Sequence, residues 1–168
     1  MAVIRQLPDG LVNQIAAGEV IERPASALRE LVENALDSGA GKISITLRRG
    51  GIDEVTVADD GHGMTPDDML LAIQRHATSK LPDDNLNHIG SLGFRGEALP
   101  SIGAVSNLKL TSVMAGMPHA WRLEVNVGRI NGPKPAALQT GSLISVTQLF
   151  KSVPARLKFL KTDRTEQG

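Results

Sequence analysis

In the stretch Arg29 to Gly39, "RELVENALDSG", Glu30 and Asn34 stand one helical turn apart. At that spacing their side chains project side by side, so a carboxylate and a neutral amide oxygen meet at one spot. Such a pair can activate water and hold a hard, oxygen-seeking cation. The same segment also reads as a surface helix with scattered acids, although Glu33 and Asp37 are like charges one turn apart and a merely solvated face would more often mix in Lys. The helix alone leaves both readings open.

Three further stretches have residue types that suit a nucleotide. "DDGHGM" sets Asp59 ahead of Gly61 and Gly63. The glycines would let the backbone turn tightly beside a flat ligand, and the Asp59 carboxylate could accept from an exocyclic amine. An ordinary Asp-Gly turn has the same residues. "SLGFRGEAL" places Gly93 and Gly96 around Phe94 and Arg95, just before a short helical signal. Free backbone N–H groups, an arginine and a helix start make a phosphate cradle. Alternatively, Arg95 is a surface residue and Phe94 a core plug. "HATSK" adds Thr78, Ser79 and Lys80, two hydroxyls and a cation, or simply a polar loop. "GAGK" is not a P-loop, because Leu36 stands where that motif needs glycine and the helix precedes it. "DDGHGM" is not a Rossmann fingerprint either, lacking the third glycine and a βαβ setting. Near the end, "FKSVPARLKFLK" gathers Lys151, Arg156, Lys158 and Lys161, either a solvated helix face or a DNA-contacting patch.

These residues need elements to position them. Leu28, Leu31, Val32, Ala35 and Leu36 form an apolar stripe that predicts a core-facing helix from Pro24 to Ser38, with Glu30, Glu33, Asn34 and Asp37 opposite it. An earlier helix is expected from an Asp9 cap to Gly18, and another from the Thr65 cap with Pro66 at its first position to about Gln74. "KISITLR" and "DEVTVADD" alternate as a hairpin around "RGG", and "NLKLTSV", "AWRLEVNV" and "SLISVTQLF" read as later strands separated by "AGMP" and "GRINGPKP". Arg75 to Gly103 is irregular, with a short helical signal at Glu97 to Ile102. A loop that long inside a domain is usually functional. The expected class is α+β, a two-layer sandwich in which a mixed, mainly antiparallel sheet is covered on one face by helices.

At 168 residues, 41% hydrophobic and 21% charged, the chain has the size and balance of one globular domain. With 18 basic and 18 acidic residues its formal net charge is zero, so any DNA contact must be local. Only three Phe, one Trp and no Tyr are present, which argues against a base-stacking platform. The four histidines show no zinc spacing, and there is no cysteine. "MAVIRQLPDG" lacks a secretory apolar core and no apolar run reaches membrane-spanning length, so a cytoplasmic chain without membrane contact is expected.

In their order along the chain, "NQIAAGEVIERPAS", "ELVENALDSGA", "DDGHGM", "RHATSK", "SLGFRGEAL" and "VPARLKFLK" resemble the signature blocks of the MutL family of DNA mismatch repair proteins. That family lies within the GHKL ATPases, with gyrase B subunits, sensor histidine kinases and heat-shock chaperones. The resemblance covers nearly the whole chain and implies ATP and Mg²⁺ as cofactors. It implies that Glu30 is the general base and that Asn34 ligates Mg²⁺. It further implies that Asp59 recognises the adenine amine and that Gly61 and Gly63 shape the base pocket. Thr78, Ser79 and Lys80 would belong to a lid, and Gly93, Phe94, Arg95 and Gly96 would wrap the phosphates. Met64, Leu92 and Ser142 would also contact nucleotide. Where the family carries Gly-Thr on its final strand, this chain has Gly141-Ser142. The implied function is a slow ATPase switch of mismatch repair. ATP would order the lid and pair two N-terminal regions, controlling contacts with a MutS-like mismatch recognition protein, a downstream nuclease or helicase, and DNA. Residues 1–168 would form the nucleotide-binding subdomain of a longer protein, lacking a second subdomain and a C-terminal dimerisation domain. The alternatives are a non-catalytic DNA- or partner-binding module, and a phosphotransfer or topoisomerase ATPase.

Overall fold

A computed structural model describes residues 3–74, 98–153 and 157. Helices α1 (Asp9–Val20) and α2 (Pro24–Asp37) lead into strands β1 (Ile43–Arg48) and β2 (Glu54–Asp59), joined by a 3₁₀ turn. Helices α3 (Pro66–Ala72) and α4 (Ala98–Ala104) precede β3 (Asn107–Val113), β4 (Ala120–Asn126), β5 (Arg129–Ala136) and β6 (Gly141–Thr147). The six strands form one sheet in the order β1-β2-β6-β3-β4-β5. Among the described residues every strand pairing is antiparallel, in keeping with the mainly antiparallel sheet expected. The last strand slots between β2 and β3 and thereby joins the first hairpin to the meander.

Alternation along the strands separates the two faces of the sheet. By register, Val57, Ile144, Leu110 and Leu123 form one transverse row, and Val55, Val146, Leu108 and Val125 form the next. All eight are buried beneath the helices. Helix α2 packs on β2, α4 on β3 and β4, and α3 on β4 and β5. A capping box holds the start of α3: the Thr65 hydroxyl accepts from the Asp68 N–H, and the Asp68 carboxylate accepts from the Thr65 N–H.

Four expectations change. The buried arc of α2 is Pro24, Ala27, Leu31 and Ala35, while Leu36 is 50% exposed. At about 3.6 residues per turn, Glu30 and Asn34 therefore border the buried arc rather than lying opposite it. Helix α1 starts on Asp9 with Pro8 as its uncapped flank and runs through Gly18 to Val20, burying only Ala17. Helix α3 stops at Ala72, two residues short of the expected end. The segment "RINGPKPA", taken as a separator, is strand β5. Its Pro133 and Pro135 lack N–H groups, and among the described strands β5 lies at the edge beside β4, a position that tolerates that.

Candidate functional site

The row of the sheet beyond the apolar ones is polar. Asp59 pairs with Ser142, Ser142 with Ser112, and Ser112 with Trp121, so three polar side chains from β2, β6 and β3 line up on the helix-covered face. Ser112 and Ser142 are buried and Asp59 is half-buried. Sequence reasoning found Asp59 and Ser142 but missed Ser112. The signal was the alternation Leu108, Leu110, Ser112, which sets a hydroxyl in phase with the core.

Asp59 and Asp60 are adjacent acids in unlike surroundings. Burial pushes the Asp59 carboxyl above its ordinary value, partly countered by the N–H groups of Gly61 and Ser142. The Gly61 N–H reaches Asp59 Oδ1 at 2.9 Å. Asp60 is exposed, and its Oδ1 accepts from the N–H groups of Lys42 at 2.9 Å and Gly41 at 2.8 Å. Those donors hold it below its ordinary value. Asp59 therefore suits recognition, and Asp60 ties the α2–β1 connection to the end of β2.

The loop after Asp59 is clamped on two sides. The His62 N–H donates to the Ser38 carbonyl just past α2 at 3.1 Å, and the His62 carbonyl accepts from Ala115 N–H at 3.2 Å. Gly61 lies so close to Ser38 that a Cβ would overlap its hydroxyl. Gly63 has φ of 72°, and a Cβ there would fall on the Val113 carbonyl. Met64 N–H donates to Ser112 Oγ at 2.8 Å. These contacts place the loop between α2 and the end of β3.

Glu30 and Asn34 are half-buried on α2, the helix whose end at Ser38 meets this loop. Asn34 is in the last turn, where its carbonyl accepts from the Ser38 N–H at 3.1 Å. The carbonyl end of a helix carries partial negative charge, which favours a cation. Arg29 pairs with Glu33 at 3.1 Å, leaving that acid engaged away from the Glu30 and Asn34 edge. Among the described residues no three His, Cys, Asp or Glu side chains gather to hold a metal. A cation here would depend on the Asn34 amide oxygen and on oxygens of the ligand itself.

Thr78, Ser79, Lys80, Leu92, Gly93, Phe94, Arg95 and Gly96 lie outside the described residues, as do Arg156, Lys158 and Lys161. Lys151 is exposed after β6. No described helix is long and apolar enough to cross a membrane.

This fold, with a half-buried acid at the end of β2 and a Glu and Asn pair on the neighbouring helix, agrees with the outcome of comparison with known proteins. The chain belongs to the family of histidine kinase-, DNA gyrase B- and HSP90-like ATPases, whose family model matches residues 21–153. Within that family its likeness is to DNA mismatch repair protein MutL. It is 61% identical to MutL of Paramagnetospirillum magneticum and 57% identical to MutL of Afipia carboxidovorans, in each case over 97% of this chain and 27% of the relative. The chain thus spans about a quarter of the length of those curated relatives. Among solved structures, the Aquifex aeolicus MutL ATPase domain complexed with ADP is 31% identical with a TM-score of 0.71, over 88% of this chain and 51% of that one. The N-terminal domain of a DNA repair protein is 30% identical with a TM-score of 0.76, over 93% and 45%. The chain thus has a GHKL-type fold, and its likeness is to the ATPase part of MutL.

Proposed function

We propose that this chain is the nucleotide-binding part of a mismatch repair switch, with ATP lying along α2 from the Asp59 loop to Glu30. The observation that carries the reading is the alignment of Asp59 with Ser142 beside the end of α2, which bears Asn34 in its last turn and Glu30 one turn earlier. Ser38, held against the loop after Asp59, lies two helical turns beyond Glu30, about 12 Å at 1.5 Å per residue. A nucleoside triphosphate spans such a distance, base at the loop and γ-phosphate at the acid.

Each residue then has one task. Asp59 accepts from the adenine amine, and the loop of Gly61, Gly63 and Met64 closes over the ring. Asn34 offers a hard oxygen at the negative end of α2, a donor that fits Mg²⁺, which keeps few protein ligands and takes phosphate and water oxygens for the rest. Bound there, Mg²⁺ would supply charge neutralisation for the phosphates. Glu30 takes a proton from water as the water oxygen bonds to the γ-phosphorus. The bond from that phosphorus to the bridging oxygen breaks, and its electron pair leaves with ADP. Thr78, Ser79, Lys80 and the segment Leu92 to Gly96 complete the phosphate side of the site in this reading.

The wider role follows from population shift. Nucleotide binds one conformation better, orders the lid, pairs two copies through their N-terminal regions and so controls contacts with mismatch recognition protein, nuclease or helicase, and DNA. Fast turnover is unnecessary for such a role.

Calorimetry with Mg²⁺ and AMPPNP tests the site, using the chain extended to the length of its curated relatives. Asn34→Ala should abolish Mg²⁺-dependent binding. Glu30→Gln should bind nucleotide and lose about 10² to 10⁴ in hydrolysis rate, the usual worth of a positioned base. Binding indifferent to Asn34→Ala, alongside salt-dependent DNA binding that ignores ATP, would replace this reading with a non-catalytic module.

A further inference from the structure

We propose that Ser112 is a positioning residue for the base. It holds the Ser142 hydroxyl as an acceptor toward the ligand, so that the pocket selects a 6-amino purine over a 6-oxo one. The inference rests on the nucleotide reading above and concerns a residue that the sequence did not single out.

The donor and acceptor inventory decides the direction of each bond. Ser112 Oγ has three polar neighbours: the Met64 N–H at 2.8 Å, the Ser142 Oγ at 2.7 Å and the Gly141 carbonyl at 3.2 Å. A hydroxyl has one proton and two acceptor sites. The amide can only donate and the carbonyl can only accept. With the Ser112 proton on the Gly141 carbonyl, its two acceptor sites take the Met64 N–H and the Ser142 proton, and all three contacts are made. The reverse polarity, with Ser112 donating to Ser142, leaves the Gly141 contact without a proton. Ser112 is 0% exposed and Ser142 6%, so water is a poor substitute for either partner.

The Ser142 proton is therefore committed to Ser112, and only lone pairs of Ser142 remain to face a ligand. Directly across the strand pair stands the Asp59 carboxylate, which also only accepts when ionised. Two acceptors side by side suit an amine that can donate. A 6-oxo group would bring a third acceptor and leave all of them unpaired, the kind of mismatch that gives strong discrimination. Ser112 also holds the Met64 N–H, so one hydroxyl ties the base loop to β3 and sets the polarity of the pocket.

The test measures affinity for Mg²⁺-AMPPNP and for its inosine counterpart by calorimetry, in the same extended chain. Wild type should prefer the adenine form. Ser112→Ala frees the Ser142 proton to turn outward, and the preference should narrow about tenfold, the scale of one hydrogen bond. Ser112→Thr, which keeps the hydroxyl, should restore it. Ser142→Ala should narrow the preference similarly, and the double variant should narrow it no further, since the two act as one unit. Equal weakening of both nucleotides by Ser112→Ala, with the preference intact, would show that Ser112 merely packs and would overturn the inference while leaving the nucleotide site standing. If Ser112→Ala fails to fold, an unchanged preference in Ser142→Ala overturns the inference by itself. Failure of wild type to bind the adenine form would overturn the nucleotide reading and this one with it.

Discussion

Asp59 and Asp60 differ by one position in the chain and have opposite linkage to folding. Burial raises the Asp59 pKa, so the folded chain keeps its proton at a pH where the unfolded chain has released it. Ionised Asp59 therefore disfavours folding at neutral pH, and its contribution recovers as pH falls through the raised pKa. Asp59→Asn should raise the Tm at neutral pH, because an amide oxygen can still accept from Gly61 without a buried charge. The same variant should bind Mg²⁺-AMPPNP at least about tenfold more weakly, hydrogen bonds to charged groups being worth roughly 1.5–3 kcal/mol. Wild-type affinity should also fall as pH drops through the Asp59 pKa, whereas the Asn variant should show no such limb. A lower Tm in Asp59→Asn would contradict this account. Asp60 works the other way. Backbone donors lower its pKa, so its stabilisation is present above the ordinary carboxylate range and is lost as pH falls through the lowered value. Acid unfolding curves of Asp60→Asn should be flatter on that limb than those of wild type.

At the scale of elements, α2 shows how a correct helix can be assigned a wrong face. The stripe from Leu28 to Leu36 gave the right span, but packing centres on Ala27, Leu31 and Ala35 because the helix sits on β2 with those small and medium residues inward. Leu31→Ala should cost about 2–5 kcal/mol, as for other buried leucines. Leu36→Ala should stay within about 0.5 kcal/mol, and a larger loss in chemical denaturation would restore the original stripe. The rotation bears on the proposed site, since it moves Glu30 and Asn34 from open solvent to the edge of the core. Five strands and four helices were legible because alternation, caps and Pro–Gly punctuation survive in local sequence. Strand β5 was not, since its two prolines mimic a loop and only its edge place explains them. Ser112 was hidden because its importance comes from partners on β6 and in the Met64 loop, pairings that no local pattern records. The β4–β5 turn carries a second feature of this kind. Val127 has φ of 47° ahead of Gly128 at 82°, a turn in which Asn suits the first place far better than a β-branched residue. Val127→Asn should stabilise the fold by about 1 kcal/mol, read as a higher denaturant midpoint with unchanged slope.

For the whole molecule, the unusual feature is how much apolar surface the N-terminal part leaves outside. Val3 is 83% and Ile4 100% exposed, and Leu7, Leu11, Val12 and Ile15 follow on the same segment and α1, which buries only Ala17. Scattered exposed aliphatic residues are ordinary, but six exposed ones within thirteen positions of sequence are a concentration that an interaction surface would explain. Zero formal net charge means that two copies would approach with little global repulsion. On the proposed reading, this segment is the surface that would pair two copies once nucleotide is bound. Pairing and nucleotide binding are then linked, so each must strengthen the other by the same factor. Sedimentation of the extended chain should show dimer growing with Mg²⁺-AMPPNP, and nucleotide affinity should rise with protein concentration. A variant combining Ile4→Ser, Leu7→Ser and Val12→Ser should stay monomeric at saturating nucleotide yet keep the affinity that wild type shows at low protein concentration. Full nucleotide-dependent dimerisation by that variant would move the pairing surface elsewhere. Loss of affinity even in dilute solution would instead mean that the segment supports the pocket within a single copy.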